Sequence, residues 1–167
     1  MKIRFASTKA AHKIRLAKFS DFDRLLRLVA AYYKFDSIAF DERVTGRTLR
    51  RLLSNKSFGR IWVIEWEGTL VGYMVLTFNY DLEYGGLEGL VTDLFVARRF
   101  RRKGLGALMM ATARNFCRRR GISAIELQVT RHNRAAQVFY RALGFKALDR
   151  IVMSLDIRPD FFALNAK

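Results

Sequence analysis

The chain has 167 residues, 51% of them apolar, and its 31 lysines and arginines against 15 acidic residues give a formal net charge of +16. That length and composition suit one folded domain and exclude a disordered or low-complexity chain. A single cysteine, Cys117, excludes an internal disulfide and suits a reducing compartment, so a cytoplasmic protein is expected.

Residues 1–12 read as a basic extension and 13–167 as a single domain. Lys13 to Ala17 predict a first strand. Ser20 reads as a helix N-cap, with Asp21 and Asp23 in the first turn. Leu25, Leu28, Val29 and Tyr32 then follow at helical spacing to about Lys34. A second helix is expected from Glu42 to Ser54. Ile61–Trp66 and Leu70–Phe78 read as strands of a hairpin, turned at Glu67-Gly68. The interruption by Glu65, Glu67 and Gly68 argues against a membrane span.

Asn79 to Gly86 reads as a mobile loop facing a substrate, and Leu87 to Val96 as the next strand. A third helix is expected from Gly104 to about Arg120, with Leu105, Leu108, Met109, Thr112 and Phe116 on its inner face. Ala124 to Val129 is a strand. Asn133 caps a fourth helix whose apolar face is Ala136, Phe139, Tyr140 and Leu143, and Gly144 ends it. Phe145–Leu148 and Ile151–Leu155 read as closing strands. The order is β-α-α-β-β-β-α-β-α-β-β.

The segment from Leu94 to Met110 carries the chemistry. An apolar strand runs into Arg98-Arg99-Phe100-Arg101-Arg102-Lys103-Gly104-Leu105-Gly106 and then straight into a helix. The first N–H groups of a helix lack internal partners and carry the positive end of its dipole. Glycines let backbone approach an anion, so the loop suits phosphate oxygens. It is neither a P-loop, because Ala107-Leu108 follow where Lys-Ser/Thr belong, nor a dinucleotide fingerprint, because Met109 stands where the third glycine belongs.

Arg101-x-x-Gly104-x-Gly106 resembles motif A of the GNAT family of N-acetyltransferases. Asn133-x-x-Ala136-x-x-Phe139-Tyr140-x-x-x-Gly144-Phe145 resembles the family's motif B. The two lie in order, about one strand apart, and the element order over residues 13–156 matches as well. The resemblance implies an α/β fold with a mixed, mostly antiparallel sheet flanked by four helices. It also implies acetyl-CoA as acetyl donor, with no metal. The amides of Arg101, Arg102, Lys103, Gly104, Leu105 and Gly106 would hold its pyrophosphate. The backbone of Leu94, Phe95 and Val96 would pair with the pantetheine arm, and an N–H near Phe95 would polarise the thioester. Asn133 would touch the same arm besides capping its helix.

Tyr140 matches the family's general acid; a phenol with a pKa of about 10 can protonate a leaving thiolate. Asp93 is the candidate base or amine anchor, because Thr92 stands where many relatives carry a second acid. Glu83, Tyr84 and Glu88 are candidate contacts for a cationic substrate. Two histidines and a distant cysteine give no metal-ligand spacing.

The expectation is an enzyme acetylating a primary amine of a small molecule by direct attack in a ternary complex. Two alternatives stay open: a protein acetyltransferase acting on an N-terminus or lysine, and a non-catalytic CoA-binding or nucleic-acid-associated module suggested by the charge. No membrane association is expected, and a homodimer is possible.

Overall fold

In a computed structural model, residues 12–155 and 157 are described; the basic extension falls almost wholly outside them. Five strands form one sheet in the order β1-β2-β3-β4-β5. They are His12–Leu16, Gly59–Trp66, Thr69–Asp81, Gly86–Val96 and Ala124–Leu127. The first four pair antiparallel, whereas β5 runs parallel to β4. Helices α1 (Phe22–Phe35), α2 (Glu42–Ser54), α3 (Leu105–Arg119) and α4 (Arg134–Ala142) complete the fold.

Strand alternation divides the apolar side chains between two cores. Val63, Tyr73, Val75 and Phe95 pack with Leu25, Val29 and Leu49 of α1 and α2. Ile64, Met74, Leu76 and Val91 pack on the other face with Leu105, Met109, Ala113 and Cys117 of α3. The inner face of α3 thus turns by about one residue from the expected one. Met110 and Ala113 are buried, while Leu108 is 43% exposed. The period leaves this choice open, because Leu105 and Met109 belong to both faces.

Ser20 does not cap α1. It lies inside a short 3-10 turn, Phe19–Asp21. Asp21 is buried there, its carboxylate accepting from Arg15 Nη1 at 2.7 Å, Arg24 Nη2 at 2.8 Å and the Lys18 amide at 2.8 Å. Hydrogen bonding to Arg15 lowers its pKa to about 2. The segment 79–86 is shorter as a loop than expected. Asn79, Tyr80 and Asp81 continue β3 opposite Glu88, Leu87 and Gly86, so only residues 82–85 turn, with Gly85 in the left-handed region at φ 71°.

The two closing strands expected at Phe145–Leu148 and Ile151–Leu155 do not form. Residues 145–155 carry no strand, and Leu148, Ile151, Val152, Met153 and Leu155 are exposed. These side chains gain nothing from extended pairing unless an edge takes them up, so an apolar pattern alone does not make the strand.

Candidate active site

The site is built around the second half of β4. The β4–β5 ladder covers only Glu88–Val91 against Ala124–Leu127, yet β4 runs on to Val96. Beyond Val91 no described strand pairs with β4 on that side. Leu94, Phe95 and Val96 therefore present an edge to which an extended chain can hydrogen-bond.

A bulge gives the same stretch its second property. Val75 pairs with Asp93 and Leu76 with Val91, leaving Thr92 unpaired. A bulge re-aims the side chains around it. Val91 packs in the α3 core, whereas Asp93 stands beside Tyr73 and Val75 on the α1–α2 face. Tyr73, fully buried, donates its hydroxyl to Asp93 Oδ2 at 3.1 Å. Burial pushes the Asp93 carboxyl up to about 6, opposed by that hydrogen bond. Burial also raises the phenols of Tyr32 and Tyr33, and the charge of Asp93 raises both further.

Tyr140 reaches the same space from the other face of the sheet. It belongs to the aromatic set Phe139–Tyr140–Phe145, with ring centroids 5.0 and 5.7 Å apart. Burial pushes its pKa up to about 12, so it holds its proton at neutral pH. Tyr140 and Asp93 both act on the Tyr32 phenol, which locates them on the two sides of the open β4 edge.

The loop after β4 meets the needs of an anion. Gly104, the N-cap of α3, has φ 76°, with no side-chain cap on the helix. A Cβ there would strain the backbone, although the space around it is open. Arg102 also takes a left-handed φ of 63°. The amides of Leu105, Gly106 and Ala107 open the helix behind them. This uncapped helix start, with Arg102 and Lys103 exposed beside it, fits a pyrophosphate.

Two residues of the loop have further roles. Arg101 donates through Nε to the Val96 carbonyl at 2.8 Å, and its guanidinium lies 4.3 Å from the Phe35 ring centre and 5.5 Å from that of Phe95. It clamps the loop to the end of β4 while its head group faces the aromatic side. Gly106 allows α4 to approach, because a Cβ there would come within 3.2 Å of Phe139 Cζ. Asn133 caps α4, accepting from the Ala136 amide at 3.0 Å.

Glu83, Tyr84 and Glu88 gather elsewhere. Tyr84 donates to Glu126, Glu88 is buried against Glu126, and Glu83 is paired with Arg150 at 2.8 Å. Glu88 faces Asn79 while Asp93 faces Val75, four β3 positions away, or about 13 Å at ~3.3 Å per residue. The structure thus brings Asp93 and Tyr140 together and leaves the three acceptor candidates at the far end of β4. Sequence reading missed Tyr32, Tyr33, Tyr73 and Glu126. Tyr73 was in reach of strand alternation, had the bulge at Thr92 been foreseen.

Among the described residues no cluster of three or more His, Cys, Asp or Glu side chains is placed to hold a metal ion. No helix among them is long and apolar enough to cross a membrane.

A twisted sheet that releases its fifth strand beside an uncapped, glycine-led helix defines a CoA-type acyltransferase architecture. Comparison with known proteins agrees. The family model "Acetyltransferase (GNAT) family" matches residues 22–145. An uncharacterized N-acetyltransferase, YhfO of Bacillus subtilis, is 28% identical over 133 residues, 80% of this chain and 89% of that protein. The uncharacterized N-acetyltransferase MJ1207 of Methanocaldococcus jannaschii is 28% identical over 137 residues, 81% of this chain; the match spans only 61% of that protein. An integron cassette protein from the mobile metagenome of Cole Harbour Salt Marsh has a solved structure with 34% identity and a TM-score of 0.77, covering 87% of this chain and 91% of that one. The chain belongs to the GNAT acetyltransferase family and carries the N-acetyltransferase domain that defines this class of enzyme.

Proposed function

We propose that the protein transfers the acetyl group of acetyl-CoA to a primary amine of a small molecule, by direct attack in a ternary complex. The observation that carries this reading is the open edge of β4, with Asp93 on one side of it and Tyr140 on the other. Acetyl-CoA supplies the thioester carbonyl; the amine nitrogen bonds to that carbon as the carbon–sulfur bond breaks. The amides of Arg101, Arg102, Lys103, Gly104, Leu105 and Gly106 hold the pyrophosphate. Leu94, Phe95 and Val96 align the pantetheine arm, and Asn133 borders it.

Asp93 takes the proton of the ammonium, which at a pKa of about 10.4 is otherwise retained at neutral pH. A carboxyl raised to about 6 is ionised at pH 7.5 and still basic enough for this role. Tyr140 gives its proton to the departing sulfur. Its high pKa ensures that it is protonated when needed.

Calorimetric titration of acetyl-CoA tests the donor half of this reading. The parent should bind it, and Gly104→Val, which forces a β-branched residue into a left-handed φ, should weaken binding at least tenfold while the fold persists by circular dichroism. Free thiol released in the presence of an amine panel tests the other half. No acetyl-CoA binding by the parent overturns the reading.

A further inference from the structure

Asp93 stands in unusual company for a chain of charge +16. The groups acting on it are its own burial and the hydroxyl of Tyr73; no cation is among them. By contrast, the other buried aspartate, Asp21, is held by two arginines. Around Asp93 lies a continuous aromatic network. Tyr32 meets Tyr73 with ring centres 6.4 Å apart, Phe95 at 5.8 Å and Tyr33 at 5.9 Å, and Tyr33 meets Phe40 at 6.0 Å. The network opens outward. Tyr32 and Tyr33 are partly exposed, and at the end of α1 and beyond it Phe35 and Phe40 are 57% and 37% exposed.

We propose that this cavity selects amines with one positive charge on a flat aromatic or branched apolar stem, with the ammonium at Asp93 and the stem against Tyr32, Tyr33 and Phe40. The inference rests on the acetyltransferase reading and names its acceptor class. A carboxylate without a cation leaves its charge for the substrate. Aromatic faces attract an ammonium by their quadrupole and bury an apolar stem.

A second cation on the substrate finds poor company. The Phe35–Phe95 rim already carries the Arg101 guanidinium. At the far end of β4, Glu83 is engaged by Arg150, and Glu126 accepts from Tyr84 with Glu88 buried against it. Asp36, the next carboxylate beyond Tyr32, caps the C-terminal end of α1.

The test compares 2-phenylethylamine, isoamylamine and spermidine in two assays. One is calorimetric binding to the CoA-saturated and the free protein at pH 8; the other is thiol release at fixed acetyl-CoA. The two monoamines should bind at least tenfold tighter than spermidine and show a correspondingly higher kcat/KM. Tyr33→Ala should remove the preference through the amine KM alone, with the acetyl-CoA KM unmoved, and Tyr33→Phe should restore it. Asp93→Asn should weaken phenylethylammonium binding even where no transfer is measured.

Spermidine equal to or better than the monoamines overturns the inference while leaving the acetyltransferase intact. So does a Tyr33→Ala loss that falls on all amines alike. Monoamine binding lost in Asp93→Asn but without thiol release from any amine would uphold the cavity and overturn the transfer reaction.

Discussion

Strand β4 carries two partly or wholly buried carboxyl groups, and their surroundings separate their roles. Burial raises the pKa of both Glu88 and Asp93. Glu88 then faces a second carboxyl, Glu126, and that repulsion raises it further, so the pair retains a proton. Asp93 receives a phenolic hydroxyl instead, which pulls the other way. Glu88 lies where β5 still pairs with β4, and Asp93 lies past the point where it leaves. The difference teaches that a carboxyl becomes available for chemistry where the sheet opens and no fixed partner claims its charge.

The sharpest way to break this comparison is Asp93→Asn. It retains shape and much of the hydrogen-bonding capacity but removes the base. On the acetyltransferase reading, kcat/KM for amine should fall by roughly 100-fold or more, while acetyl-CoA affinity by calorimetry stays near that of the parent. An unchanged rate would move the base elsewhere, to bulk water or another carboxylate. Next in size is Tyr140→Phe, expected to lower kcat by roughly tenfold to 100-fold with little change in KM for acetyl-CoA. A fall in acetyl-CoA affinity instead would make Tyr140 a packing residue of the Phe139–Phe145 set.

Much of this arrangement is written in short-range pattern. The β2–β3 hairpin follows from β-branched and aromatic residues around Glu67-Gly68, and both glycine and Glu67 take positive φ there. Gly104 was legible as a helix entry and Asn133 as a cap. The positions of α2 and α4 were equally plain. What escaped depended on pairing across the sheet. The bulge at Thr92 is a mismatch between two strands, invisible in either one alone. Without it Asp93 has no defined face, and its meeting with Tyr73 and Tyr32 cannot be foreseen. The closing strands failed for the same kind of reason. Their apolar alternation is a capacity for pairing, and pairing needs a partner edge in register.

Tyr73→Phe makes a smaller and more diagnostic change. Tyr73 stabilises the Asp93 anion, so removing its hydroxyl should raise the carboxyl pKa above about 6. Because the base acts ionised, kcat/KM declines as pH falls through that pKa, and the acidic limb of the profile should move to higher pH. The rate at pH 8.5, above both values, should change by only a few-fold. A uniform drop across the whole profile would mean that Tyr73 serves packing alone.

The smallest expected effect concerns the other end of β4 and is read in stability, not rate. Glu88 has a raised pKa in the folded state, so folding favours its protonated form. That contribution is fully present below the unfolded value, about 4.3, and is lost as pH rises through the folded one. Glu88→Gln holds the neutral form at every pH. Thermal melts of parent and variant should therefore agree most closely in mild acid and diverge toward neutral pH, with the variant the more stable. Glu126→Gln should reduce the same divergence by removing the repelling partner. If the melting curves of parent and Glu88→Gln stay parallel from pH 4.5 to 8, Glu88 is not the proton-holding member of the pair. The contrast with Asp93 would then rest on position along the strand alone.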